Sequence, residues 1–201
     1  MLKKQMEQYI EGLLKEDSNS QQIELYKEEK AYVEKHHLLP NQNITITEKD
    51  DSSRFLDVYI ERCNKETEEL IAEEGSQFLN EPLSYLVKHK NEFIYLESDY
   101  FNIIGVDAIS LEVDDVFGTY NVMLGLKLQK KYESAIKSYL SNALSGDSVK
   151  SGIIFSQGDG LWDLNFMLNF VNGYKEDMTL REAYQLIYSF IFELGEVIEE
   201  A

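Results

Sequence analysis

Between residues 151 and 171 the apolar and polar positions form two runs joined by a glycine-rich turn. Ile153-Ile154-Phe155 precedes Gly158-Asp159-Gly160. Beyond the turn Trp162, Leu164, Phe166, Leu168 and Phe170 take every second place, with Asp163, Asn165 and Asn169 between them. A period of two is that of a half-buried strand, so this segment predicts a β-hairpin with one apolar face. The same period recurs upstream. Ile109, Leu111 and Val113 alternate with Ser110, Glu112 and Asp114, and Tyr120, Val122, Leu124, Leu126 and Leu128 follow after a loop containing Gly118. With the short apolar run 92–97, these predict three further strands, the last two joined through the 114–119 loop.

Elsewhere the period is helical. Leu2, Met6, Tyr9, Ile10, Leu13 and Leu14 step by three and four, which predicts an amphipathic helix over 2–15 with Asp17-Ser18-Asn19-Ser20 as its end. Residues 21–37, rich in Glu and Lys with a thin stripe of Ile23, Tyr26 and Val33, predict a second helix stopped by Pro40. The stretch between 43 and 63 is ambiguous: 44–47 looks like a short strand, and 55–62 fits either a strand with Leu56, Val58 and Ile60 on one face or a helix capped by Ser52, with a hairpin as the expectation. Residues 65–90 have helical composition, interrupted near Gly75, with Asn80 and Pro82 placed to start a second piece. A helix is predicted over 130–144, closed by Gly146. The last helix, 179–199, begins at a Thr179-Leu180-Arg181-Glu182 capping box. It is apolar on most sides and so must be buried on most sides, by the sheet and by either the N-terminal helices or a second subunit.

These elements predict an α+β fold: a mainly antiparallel sheet of about five strands with helices on one face, in the order α-β-β-β-α-β-β-α, plus an N-terminal helical segment. The division expected is an extension over 1–63 and a main domain over 64–201. Strand-strand-helix recurs at 107–144 and 151–199, as shared architecture without shared residues.

Charge narrows the partners. The 201 residues carry 37 acids against 19 bases, a net charge of −18, and the acids are spread along the whole chain. Such a surface repels nucleic-acid phosphates and anionic membranes, so neither is expected as a partner. A protein partner with basic or amphipathic segments is. No run reaches the ~18 apolar residues of a membrane-spanning helix, and Met1-Leu2-Lys3-Lys4-Gln5 opens a mixed-charge helix, so a cytoplasmic protein is expected.

Individual residues suggest little chemistry. Cys63 has no cysteine to pair with, and His36, His37 and His89 form no zinc spacing. His36-His37 fits a helix C-terminus better than a ligand pair. Asp107, Glu112, Asp114 and Asp115 lack the spacing of a calcium loop, and Gly158-Asp159-Gly160 leads into a strand, so it is a turn and not a phosphate loop. No cofactor and no catalytic residue is assigned. The candidate partner-binding residues are Asp163, Asn165 and Asn169, on the outward face of the last strand, with Tyr132 and Tyr139 of the 130–144 helix. A solvated sheet face also accounts for the first three.

From Ile154-Phe155-Ser156-Gln157-Gly158-Asp159-Gly160-Leu161 through Asp177-Met178-Thr179-Leu180 to the final helix, the chain resembles the type III secretion chaperones and the similar YbjN family. The resemblance covers roughly the last two-thirds of the chain. It implies a small acidic protein that binds other proteins, often as a dimer, without catalysis. Three readings follow: a non-catalytic protein-binding module, chaperone-like and homodimeric; an acidic inhibitor that mimics nucleic-acid charge, with its acids aligned on one face; or an enzyme with a cleft holding a histidine beside a buried acid.

Overall fold

The computed structural model describes residues 1–16, 22–39, 43–145 and 151–200. The Asp17–Ser20 cap, the Pro40 stop and the Gly146 C′ position lie outside the described residues. In chain order the elements are α1 (Leu2–Glu16), β1 (Gln22–Leu25), α2 (Lys27–His36), β2 (Thr45–Glu48), β3 (Tyr59–Asn64), β4 (Leu70–Glu74), α3 (Tyr85–Lys88), β5 (Glu92–Glu97), β6 (Val106–Val113), β7 (Tyr120–Leu126), α4 (Glu133–Ala143), β8 (Ser151–Ser156), β9 (Leu161–Met167) and α5 (Leu180–Glu200). The fold is α+β. Seven strands form one antiparallel sheet in the order β4-β3-β5-β6-β7-β9-β8, and β1 and β2 form a separate parallel pair.

Seven strands replace the five expected. The helix anticipated over 65–90 shrinks to the four residues of α3, and its first third is the edge strand β4. The Glu-rich composition of 65–74 misleads because a hairpin is imposed there by side chains. Asn64 Oδ1 accepts from the amides of Glu66 and Thr67 at 2.9 and 3.1 Å, and Glu68 takes a left-handed φ of 57°. Arg62 then reaches Glu74 at 2.8 Å and Glu92 at 3.0 Å and ties β4 to the sheet. The second predicted helix also begins later: Ile23 and Leu25 bury on alternate positions of β1, and α2 starts only after Tyr26. The strand at 59–64 crosses the expected division at residue 63, and residues from α1, α2, β1 and the sheet share one core.

One face of the sheet carries the helices. Ile60, Ile94, Leu96, Ile109, Leu111, Val122, Leu124, Trp162, Leu164 and Phe166 point to it and are buried. α5 lies across this face. Its Tyr184 hydroxyl donates to the Ile94 carbonyl at 3.1 Å, and Phe190 packs on Phe166 with ring centroids 4.8 Å apart. Its far side is covered by α1 and α2, with Phe192 against Tyr32 at 5.8 Å and Leu2 over Gly195, where a Cβ would meet Leu2 Cδ2 at 3.3 Å. The N-terminal helices thus occupy the surplus apolar surface that the sequence left to them or to a second subunit. Thr179 and Glu182 close the capping box: the Thr179 amide donates to the Glu182 carboxylate at 2.7 Å and the Glu182 amide to Thr179 Oγ1 at 3.3 Å. Among the described residues no helix is long and apolar enough to cross a membrane.

A charged cluster locks the N-terminal segment to α5. The Arg54 guanidinium, buried between the rings of Tyr26 and Tyr188 at 4.1 Å from each, donates to Glu29 at 2.5 Å and to Glu28 at 2.7 Å. Glu29 also accepts from the Tyr188 hydroxyl at 2.6 Å. Arg181 secures the same loop through the carbonyls of Ser52 and Phe55, and holds the segment after β4 through that of Ser76.

Candidate functional site

The second face of the sheet is left to solvent. Alternation places Tyr59, Glu61, Tyr95, Glu97, Ala108, Ser110, Met123, Gly125, Asp163, Asn165 and Ile154 on it, half-buried or exposed. A bulge in β6 shapes its middle: between the pairs Val106–Leu126 and Ile109–Leu124, Asp107 and Ala108 both oppose Gly125. The extra residue turns Asp107 outward, where it pairs with Lys127. The small side chains of Ala108, Ser110 and Gly125 leave a depression of about 460 Å³ walled by Tyr95, Met123, Asp163 and Asn165. A second depression of about 500 Å³ adjoins it through Asp107 and is rimmed by Asp57, Glu97 and Asp99. Tyr95 donates to Glu97 at 2.6 Å, and Tyr59 donates to Glu61. The bond to Glu61 pushes the exposed Tyr59 phenol up to about 12, and burial with the bond to Glu97 pushes the Tyr95 phenol up as well, so the phenols on this face are neutral donors.

The five predicted partner-binding residues separate. Asp163 and Asn165 belong to this face. Asn169 does not: β9 ends at Met167, and in the following 3-10 turn Asn169 Oδ1 accepts from the Tyr120 amide at 2.7 Å, a structural role. Tyr139 is buried, with its hydroxyl donating to the Phe190 carbonyl at 2.9 Å, which fastens α4 to α5. Tyr132 lies on the helix-bearing side. It lines a cavity of about 1090 Å³ with Lys3, Lys4, His36, Lys131 and Glu199. Among the described residues none of those three lysines has a carboxylate within 4.0 Å.

Two exposed residues escaped the sequence reading. Val116 and Phe117, at the tip of the β6–β7 hairpin, are 82% and 81% exposed. Asp114 Oδ1 accepts from both of their amides, at 2.9 and 2.7 Å, so the turn is fixed while its apolar side chains project. Two large apolar residues inside an Asp-to-Gly turn were the available signal.

The remaining polar candidates have local partners. Asp115 and Glu112 face Lys65 at 3.7 and 3.9 Å. His36 ends α2 with its ring 4.2 Å from that of Tyr32, and His37 takes the left-handed cap with φ 51°. His89 stacks on Tyr85 at 4.1 Å and its Nδ1 lies 3.3 Å from Glu92. Burial, and Glu61 beside it, push the Cys63 thiol up, away from the thiolate a nucleophile needs. Among the described residues no group of three or more His, Cys, Asp or Glu side chains is placed to hold a metal ion. Neither the family models nor the curated proteins nor the solved structures compared with this chain match it.

Proposed function

We propose that the protein is a non-catalytic binding module whose open sheet face takes a basic, amphipathic segment of a partner protein. The observation that carries this is the pair of adjoining depressions, floored by tyrosine, methionine and small residues and rimmed by Asp57, Glu97, Asp99, Asp107 and Asp163. Aromatic and methionine surface supplies apolar contact, and the carboxylate rim selects cationic side chains and raises the encounter rate. Val116 and Phe117 offer a further apolar anchor at the end of the same sheet. A charge mimic of nucleic acid is less well served, because exposed acids occur on α1 and α2 as well as on this face.

The test is selection from a random peptide library on the intact protein, with counter-selection on an Asp107→Lys/Asp163→Lys variant. Enriched peptides should combine Lys or Arg with aliphatic or aromatic residues and lose at least tenfold affinity for the variant. Binders that are acidic, or indifferent to the two substitutions, would remove the open face from consideration.

A second reading rests on the cavity around Tyr132. Lys3, Lys4 and Lys131, which among the described residues have no carboxylate within 4.0 Å, outnumber Glu7 and Glu199 in this lining and stand beside His36, which suits an anionic small molecule with Tyr132, Ala135 and Ile198 as its apolar wall. Thermal unfolding with inorganic phosphate, pyrophosphate, citrate and ATP tests it. A stabilisation that Lys131→Glu abolishes supports this reading, and no shift with any of the four dismisses it.

A further inference from the structure

The cavity of about 1090 Å³ beside Tyr132 opens where α1 and α4 begin and α5 ends, and its lining is basic in a chain of net charge −18. The placement of its lysines is unusual. The chain holds 37 acids against 19 bases, yet Lys3 and Lys4 occupy the first turn of α1, which contains no acid, and the short turn bearing Lys131 leads directly into α4. The positive end of a helix dipole repels cations and favours acids. Nearby acids have other partners. Glu133 of α4 accepts from Lys137 at 2.6 Å, and Glu199 accepts from the Lys3 amide at 2.7 Å and from the Tyr32 hydroxyl at 2.5 Å. Two helix starts far apart in sequence thus carry the wrong sign for their own stability and border one cavity. A local choice that opposes the fold, made twice around one space, points to a task beyond folding.

Resting on the reading of this cavity as an anion site, we infer that it takes a small molecule carrying a chain of two or more phosphoryl groups, held by Lys3 and Lys4 of α1 together with Lys131 ahead of α4. Among the described residues its lining holds lysines and no arginine. A planar carboxylate is matched by the guanidinium fork, whereas a compact ammonium with three rotatable donors suits tetrahedral phosphoryl oxygens. Size argues for more than one such group. Pockets for drug-sized ligands run to about 300–1,000 Å³, so a single oxyanion would leave most of this cavity to water. Charge argues against a polymer. A nucleic acid would run on from the cavity over a surface whose net charge is −18, while a short polyphosphate stays within the basic patch. Tyr132 and Ile198 give apolar surface to the group that bears the phosphates.

Calorimetric titration of the intact chain at fixed ionic strength and without divalent ions provides the test, with orthophosphate, tripolyphosphate and citrate as probes. Tripolyphosphate should bind at least about tenfold more tightly than orthophosphate, and by a similar margin more tightly than citrate, which carries its charge on carboxylates. Lys4→Gln and Lys131→Gln, both at exposed positions, should keep the wild-type circular dichroism and melting profile. Each should weaken tripolyphosphate binding at least about fivefold, whereas Lys175→Gln, exposed and outside this lining, should leave it unchanged. Equal affinity for the three probes, or a loss with only one of the two lining substitutions, overturns the inference and leaves a general anion site. A loss with Lys175→Gln as large as with the other two traces binding to net charge and overturns it as well. If none of the probes binds, the anion site falls and the inference falls with it.

Discussion

Arg54 shows how much a single side chain can organise here. Its charge is buried with that of Glu29, Glu28 reaches it from a partly exposed position, and tyrosine rings flank it on two sides. Burial works against the charged guanidinium, yet Glu29 and its neighbours outweigh it and raise the Arg54 pKa further. Arg54→Met should cost about 3–5 kcal/mol in urea unfolding, because it strands a buried carboxylate. Adding Glu29→Gln should recover part of that loss, and a double-mutant cycle that is strictly additive would show that the pair is not coupled. Glu199 makes the opposite kind of contact, near the surface. Burial works to raise its carboxyl, but donation from the Met1 ammonium, the Tyr32 hydroxyl and the Lys3 amide holds it below the usual carboxylate range. A lowered pKa in the folded state stabilises the fold fully above the ordinary value of 4.5, and the contribution disappears as pH falls through the lower folded value. Glu199→Gln should therefore cost about 1–2 kcal/mol at neutral pH, and its deficit against wild type should shrink in chemical unfolding below pH 4.5.

β7 and β9 are written by alternation, but the shape of the surface they present depends on residues too small to register in a hydrophobic pattern. Gly125 faces the open side opposite the β6 bulge, and the nearest atoms a Cβ placed there would meet are those of Leu161, at 3.4 Å, an ordinary van der Waals contact. Gly125→Val should therefore fold, with stability unchanged or raised by up to ~1 kcal/mol from the relief of glycine's backbone entropy. It should also fill the depression and weaken peptide binding at least tenfold, as read by fluorescence anisotropy. Retained affinity would place the partner elsewhere. β4 teaches the converse lesson. Five residues with two glutamates carry no strand signal, and they become a strand because Arg62 lies between Glu74 and Glu92. That partnership joins side chains 12 and 30 positions apart, beyond the reach of local propensity.

Taken as one body, the molecule sorts its charge despite an excess of acid everywhere. The open face concentrates carboxylates around apolar depressions, the helix-bearing side gathers Lys3, Lys4 and Lys131, and β8 carries neither sign. Partner capture on the open face should then show a logarithmic loss of affinity with salt that flattens in Asp107→Lys/Asp163→Lys, measured by titration at several ionic strengths. A salt-independent affinity would mean that the carboxylate rim takes no part.

Period and composition suffice for much of this protein. The β8–β9 hairpin, the strands β5 to β7, α1, α4, and α5 with its capping box are each set by contacts within a few residues, and each is readable along the chain. So is the outward orientation of Asp163 and Asn165, since a strand of period two leaves no choice of face. Other features arise from residues brought together over long distances. The strand at 70–74 rests on Arg62, and so does the pairing of the strand at 59–64 with β4 and β5 in place of the expected hairpin with 44–47, which pairs with β1 instead; the burial of Tyr139 rests on docking against Phe190, and the capture of Asn169 on the Tyr120 amide. The covering of α5 by α1 and α2 likewise depends on a close approach at Gly195. The hairpin of 151–171 announces an apolar face and a polar one, but whether that polar face is merely wet or shaped for a partner depends on a bulge and a glycine in neighbouring strands, because concavity belongs to the assembled sheet and not to any one strand.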